Sequence, residues 1–292
     1  MGSLIVQLLI DGTCAGLLYV ILAGGLVLIQ SVSGIFFIAY GQFFMIAAYV
    51  TYGLMVILHA PFIVALAVAV IVTSLLGMAS YVLLFRNIRL TERQFLSAIV
   101  IAMGLMLVLG QSGLILFGTS NRSVPSVFNG MLEYGDVIVP FEKVMIMSAT
   151  IVVIVLLFFM YHKTSIGRAM RAVACQPDAA IVSGISMKRV YLVTMGIAGA
   201  LAGFAGAIIA PSYGINPSMG NNALLTVLLV SMLGGMDSLA GTVVGGLVFG
   251  ILLSFGQFYF PEVAQILLYS AIGIIIFLRP QGLLGRRTNV EV

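Results

Sequence analysis

Few residues in this chain can do chemistry, and their spacing rules out most of it. Cys14 and Cys175 stand far apart, and His59 and His162 are isolated. A disulfide framework or a zinc site would need closer, patterned ligands. No G-x-x-x-x-G-K-[ST] loop is present to cradle nucleotide phosphates. No H-E-x-x-H or G-x-S-x-G supplies a base or nucleophile for hydrolysis. Asp11 interrupts an apolar run, Asp237 sits in a glycine-rich turn, and Glu262 follows Pro261. A carboxylate at the bilayer centre costs at least about 2.5 kcal/mol, so proton-coupled carriers keep such groups only where they work. One embedded aspartate does not make a relay, and proton coupling is disfavoured. Sodium coupling needs only carbonyls and hydroxyls, and stays open.

Polar chemistry is concentrated instead in GRAMRAVACQPDAAIVSGI, Gly167–Ile185, framed by Lys163 and by Lys188 and Arg189. Ile166, Ala169, Met170 and Val173 recur at helical spacing, while Arg168, Arg171 and Cys175 take another face. That pattern predicts an amphipathic helix at headgroup level. A second, short helix follows at 177–183. Pro177 suits its first position, Asp178 complements the positive end of its dipole, and Gly184 takes the left-handed turn that stops it. Two roles are open on physical grounds. The insert anchors a loop at the interface, or it presents a rigid knob to a cytoplasmic partner.

These residues must be carried by membrane helices. Of 292 residues, 62% are hydrophobic and 8% charged, against about 25% charged in a soluble domain. The expected fold is an all-α polytopic membrane protein, with residues 1–292 forming one transmembrane domain. A span needs about 20 apolar residues. The candidates are 4–30, 35–58, 62–85, 94–117, 144–161, 190–210, 222–236, 242–260 and 263–279. With 222–236 read as a half-helix or re-entrant piece, this gives about eight to ten segments.

The N-terminus has no basic n-region and reads as a first span, not a cleaved signal. The net charge of +4 reflects membrane orientation, not nucleic-acid binding. All Lys and Arg except Arg122 and Lys143 fall in three places: Arg86, Arg89 and Arg93; the loop 163–189; and Arg279, Arg286 and Arg287. The positive-inside rule makes these cytoplasmic. The loop 119–143 then faces outside, where Glu133, Asp136 and Glu142 offset Arg122 and Lys143, and the N-terminus is outside too.

Small residues cluster, and Gly199 with Gly203 and Gly241 with Gly245 and Gly246 fit close helix packing. Ser31, Gly34 and Gly41 return as Ser231, Gly234 and Gly241, each 200 positions later. Repeated halves with broken helices at matching places are a transporter habit. Three matches among small residues also arise by chance, and the topology makes these pieces parallel, so either the echo is accidental or one segment is re-entrant.

The run T-S-I-G-R-A-M-R-A-V-A-C-Q-P-D-A-A-I-V-S-G-I-S-M-K-R-V closely resembles the cytoplasmic loop of permeases of the LivH/LivM family of ABC importers. In the same order, G-I-F-F-I-A-Y-G-Q-F-F-M-I-A-A-Y-V resembles that family's second helix. V-P-S-V-F-N-G, Y-G-I-N-P-S-M-G and M-L-G-G-M-D-S-L-A-G-T-V-V-G-G-L-V-F-G follow the LivH half especially. The tail R-P-Q-G-L-L-G-R agrees as well.

The resemblance implies a type II-like importer permease in a bacterial inner membrane. It would have no ATPase site or cofactor of its own, and would import branched-chain or other hydrophobic amino acids or related small polar solutes. The implied partners are a LivM-like second permease or a second copy, two cytoplasmic ABC ATPases holding ATP and magnesium, and a periplasmic or lipid-anchored binding protein. Membrane lipid surrounds the chain, and no nucleic acid is expected.

ATPase coupling then falls to Gly167, Arg168, Arg171, Pro177, Asp178, Ala179, Ala180 and Gly184. Tyr40, Gly41, Gln42, Ser231, Gly234 and Gly235 belong to the translocation pathway, and Asn216 and Pro217 to binding-protein docking. Interhelical hydrogen bonding is an equal account of Tyr40 and Gln42. Where the family often shows N-F-A-H-G-E, this chain has Phe37, Tyr40 and Gln42 in place of asparagine, histidine and glutamate, which unsettles the substrate. The alternative reading is a sodium-coupled carrier or channel acting alone.

Overall fold

Lipid offers the backbone no hydrogen bonds, so each apolar segment closes its own as a helix. The computed structural model describes residues 2–86, 92–125, 130–134, 137–279 and 282–284. Arg89, Asp136, Arg286 and Arg287 lie outside them, as do the side chains of Arg93 and Glu133, the S-V-F-N of the outer loop and half of the tail motif.

The helices are α1 (Gly2–Ser33), α2 (Tyr40–Tyr52), α3 (Phe62–Ser80), α4 (Glu92–Phe117), α5 (Phe141–Lys163), α6 (Ser165–Cys175), α7 (Pro177–Val182), α8 (Met187–Ile209), α9 (Met219–Gly234), α10 (Leu239–Tyr259) and α11 (Ala264–Leu278). The ends of α2 and α3 run on as π-helical turns, with i→i+5 bonds from Leu58 N–H to the Gly53 carbonyl and from Arg86 N–H to the Tyr81 carbonyl. Among the described residues, seven helices are long and apolar enough to cross a membrane, and α9 and α11 are shorter.

Every expected segment is present, with two corrections. The second was expected from residue 35, but helix begins only at Tyr40. Gly34 stops α1 at φ +65°, and residues 34–37 are non-helical. The segment expected at 222–236 starts earlier, at Met219, yet its 16 residues span about 24 Å, less than the roughly 30 Å of hydrocarbon. The outer loop is not wholly irregular: β1 (Met131–Tyr134) pairs antiparallel with β2 (Val137–Pro140), Met131 opposite Pro140.

The chain divides into two compact units. The first draws its described residues from Met1–Val27, Phe128–Ile154 and Thr226–Val292. In it, α1 and α10 run antiparallel in glycine-to-glycine contact. A Cβ on Gly12 would stand 2.7 Å from Ile251 Cα, and one on Gly16 2.8 Å from the Gly246 carbonyl oxygen. The four-residue spacing of Gly12 and Gly16, matched by Gly246 and Gly250, is the small-xxx-small device. Tyr19 meets Phe249 edge-on at 5.3 Å, and Ser254 Oγ donates to the Leu8 carbonyl at 2.8 Å. Lys143 Nζ donates to Asp11 Oδ1 at 2.6 Å. The lysine expected to balance the acids of the outer loop is thus paired with the aspartate of the first span.

The second unit comprises the described parts of Leu28–Val127 and Val155–Leu225. Helix α8 is its hub. Gly199 and Gly203 press on Thr73 of α3, Gly196 on Met78, and Gly206 on Phe44 and Ala47 of α2. The expectation that Gly199 and Gly203 serve close helix packing holds.

Candidate functional site

The polar insert folds as two helices joined at a corner. Thr164 caps α6, its Oγ1 accepting from Gly167 N–H at 3.1 Å. Gly167 packs directly on the carbonyls of Met160 and Tyr161 at the end of α5, where a Cβ would have no room. Arg171 is half-buried. Its guanidinium donates to the Tyr161 carbonyl and, at 3.4 Å, to that of His162, and lies over the Tyr161 ring. A cation there satisfies the open carbonyls of α5 and its negative end.

Met170 and Val173 turn inward, joining Val32, Ala180 and Val190 in one apolar cluster. Ile166, expected on that face, is exposed. Gly167, one position later and so about 100° round the helix, takes the inward place that the tight corner demands.

Pro177 opens α7 at its first position, with Asp178 in the first turn. Gly184 closes it at φ +79°. Ile185 N–H bonds the Ala180 carbonyl at 3.0 Å and Gly184 N–H that of Ile181 at 2.9 Å, the paired bonds of a Schellman stop. Ala180 is buried, whereas Pro177, Asp178, Ala179 and Gly184 are exposed, as are Lys163, Arg168, Lys188 and Arg189. Ile181 is 56% and Val182 89% exposed, so α7 presents a small apolar ridge within a basic surround.

In the second unit also, α2 and α9 begin side by side. Gly41 touches the Gly220 carbonyl oxygen so closely that no Cβ fits. Tyr40 is fully buried and donates to the Ala198 carbonyl at 3.1 Å, a helix-to-helix bond. Gln42, 2% exposed, donates through Nε2 to Asn221 Oδ1 at 2.7 Å, and Asn221 itself is exposed. Sequence reasoning missed Asn221. The signal was two consecutive asparagines at the edge of an apolar segment.

Asn216 and Pro217 are half-buried beside Ile215, whose N–H and carbonyl pair with Arg122 at 2.8 and 2.9 Å. The neighbouring Tyr213 is 63% exposed.

Ser231, Gly234 and Gly235 are buried in the first unit. Ser231 Oγ donates to the Leu228 carbonyl at 2.8 Å. Gly234 meets Gly241 and Gly245 backbone to backbone, and Ser238 Oγ caps α10 by accepting from Gly241 N–H at 3.0 Å. Leu283 N–H and Leu284 N–H bond the carbonyls of Leu233 and Gly234 at 2.8 and 3.2 Å, closing the end of α9 with the chain's own tail. The recurrence at 200 positions therefore marks two helix–glycine–helix breaks. The glycines at positive φ in these two breaks are Gly34 and Gly235, which stand one position off that spacing.

The fold is that of a transport permease. The chain matches the family described as branched-chain amino acid transport system, permease component, over residues 8–278, and it belongs to that family. It is 26% identical, over 295 aligned positions, to the high-affinity branched-chain amino acid transport system permease protein BraD of Pseudomonas aeruginosa, covering 96% of this chain and 95% of that one. The corresponding LivH protein of Escherichia coli shows the same identity and coverage. Among solved structures, PsaBC from Streptococcus pneumoniae in complex with Fab shares the fold, with a TM-score of 0.50, 13% identity and coverage of 91% of this chain and 90% of that one. The chain is a multi-pass membrane protein.

Proposed function

We propose that the chain is a transmembrane permease subunit of an ABC importer in a bacterial inner membrane. It moves branched-chain or other hydrophobic amino acids, or related small polar solutes, toward the cytoplasm. It carries no ATPase site. ATP and magnesium belong to two cytoplasmic ATPase subunits. A homologous LivM-like permease or a second copy completes the channel, and a periplasmic or lipid-anchored binding protein delivers solute.

One observation carries the coupling role: α7 is stopped at both ends by its own sequence and turns Ile181 and Val182 outward. An apolar ridge on a short rigid helix fits a groove on a partner and gains most of its energy from a few desolvated side chains. Pro177, Asp178, Ala179, Gly184 and Arg168 contribute the contact surface. Gly167, Arg171 and Ala180 hold it against α5, α6 and α1. Solute passes beside the break at Tyr40, Gly41 and Gln42, while Ser231, Gly234 and Gly235 form the second break that shapes the pathway's wall. Asn216 and Pro217 brace the outer loop that meets the binding protein.

The decisive pair of variants is Ala179→Arg and Ala180→Asp. Ala179→Arg is expected to leave the thermal midpoint unchanged and to lower ATPase co-purification at least about 30-fold, the scale of a hot-spot loss. Ala180→Asp buries a carboxylate in the apolar cluster, and is expected to lower the thermal midpoint itself. Undiminished co-purification with Ala179→Arg, or uptake by the lone chain under a sodium gradient, would sink the reading.

A further inference from the structure

Gln42 is placed as a merely structural amide would not be. Its carboxamide lies where α2, α4 and α9 converge, and glycine makes the space for it. A Cβ on Gly220 would stand 2.7 Å from Oε1, and one on Gly110 3.6 Å from both carboxamide ends. Nε2 is used, on Asn221. Oε1 is buried and accepts no hydrogen bond from any described residue. A buried acceptor without a donor costs free energy, and a leucine of similar size would avoid the cost. Such a group, kept in a membrane protein, calls for a functional explanation.

Its surroundings indicate which one. The first turns of α2 and α9 both lie here, and helix N-termini carry partial positive charge that favours carboxylate or carbonyl oxygen. Asn221 is exposed and bonded to the buried Gln42, so a solute arriving from the exposed side would meet Asn221 first and Gln42 behind it. The pair is neutral and holds no ion of fixed sign.

We propose that Gln42 and Asn221 form a polar recognition subsite in the translocation pathway. It takes a small solute whose N–H donor stands within three bonds of a carbonyl or carboxylate oxygen. The N–H goes to Gln42 Oε1, and the oxygen lies in the field of the two helix N-termini with Asn221 beside it. Amino acids and primary amides share this chemistry. The proposal rests on reading the chain as an importer permease.

The test uses the complete permease–ATPase complex in nanodiscs, without binding protein, and equilibrium binding of L-leucine, propionamide and isovalerate. Leucine or propionamide is expected to bind, while isovalerate, which has no N–H donor, is not. Gln42→Leu and Asn221→Leu should each weaken that binding at least tenfold, and Gln42→Asn, which keeps the carboxamide, should weaken it less. Binding by leucine alone assigns an amino-acid subsite, and by propionamide alone an amide subsite. Equal binding to wild type and Gln42→Leu, binding of isovalerate as tight as leucine, or no binding of either N–H probe would overturn the proposal. Because Asn221 is exposed, its variant keeps the test valid if Gln42→Leu does not assemble. ATP dependence of uptake by the wild-type complex tests the importer reading separately, and its failure leaves the binding result to stand or fall alone.

Discussion

Two helix breaks of this chain share one backbone device and differ in what surrounds it. At residues 34–39 and 235–238 a glycine at positive φ stops a helix and a second helix restarts within a few residues. Around each, a glycine meets another glycine at backbone distance: Gly41 on Gly220, Gly241 on Gly234. The 235–238 break is then closed. Ser238 caps α10 and the tail caps α9, so the open groups at both helix ends find partners within the chain. The 34–39 break instead adjoins a buried carboxamide with an unused acceptor. Main-chain geometry alone does not separate a structural break from a functional one. The balance of hydrogen-bond donors and acceptors is what differs: Ser238 and the tail meet the helix ends at 235–238, and Gln42 Oε1 stays unused beside 34–39.

The largest way to break this contrast is to add volume to the closed seam. Gly241→Val forces side-chain carbon onto the Gly234 carbonyl, and is expected to cost about 3 kcal/mol and most of the yield of folded protein, read by thermal unfolding in detergent. Next come the turn glycines. Gly235 at φ +106° lies outside any region that L-residues occupy comfortably, while Gly34 at φ +65° lies within the left-handed one. Gly235→Ala should therefore cost about 2 kcal/mol and Gly34→Ala about 1 kcal/mol, and equal losses would remove the distinction. The smallest effects sharpen the comparison most. Thr242 is buried beside the closed break and bonds the Ser238 carbonyl. Thr242→Val should cost about 1 kcal/mol of stability and leave solute discrimination unmoved. Gln42→Leu should do the reverse, changing stability by less than about 1 kcal/mol while solute binding falls.

Hydropathy made the spans legible because lipid imposes a length and a composition. Pro177, Asp178 and Gly184 made α7 legible because each acts through its own backbone position. The same local logic fails at residues 35–39. That run, Ile35-Phe36-Phe37-Ile38-Ala39, is as apolar as any span, and hydropathy does not register the turn that Gly34 starts. Ile166 was misplaced because periodicity ranks side chains by polarity, whereas the corner with α5 selects by size. Asn221 and Gln42 lie 179 residues apart, as far beyond any local pattern as Asp11 and Lys143. Such distant pairs become readable only in three dimensions.

The ion pair of Asp11 with Lys143 has a consequence for how the protein is made. Its partners are separated by 132 residues, which at about 5–20 residues per second is roughly 7–26 s of ribosome time. During that interval the carboxylate of the first span lacks the lysine it pairs with in the folded chain. The nascent chain therefore has reason to delay lateral release of α1 until α5 arrives, and replacing Asp11 by asparagine should hasten the moment at which that first helix departs into lipid.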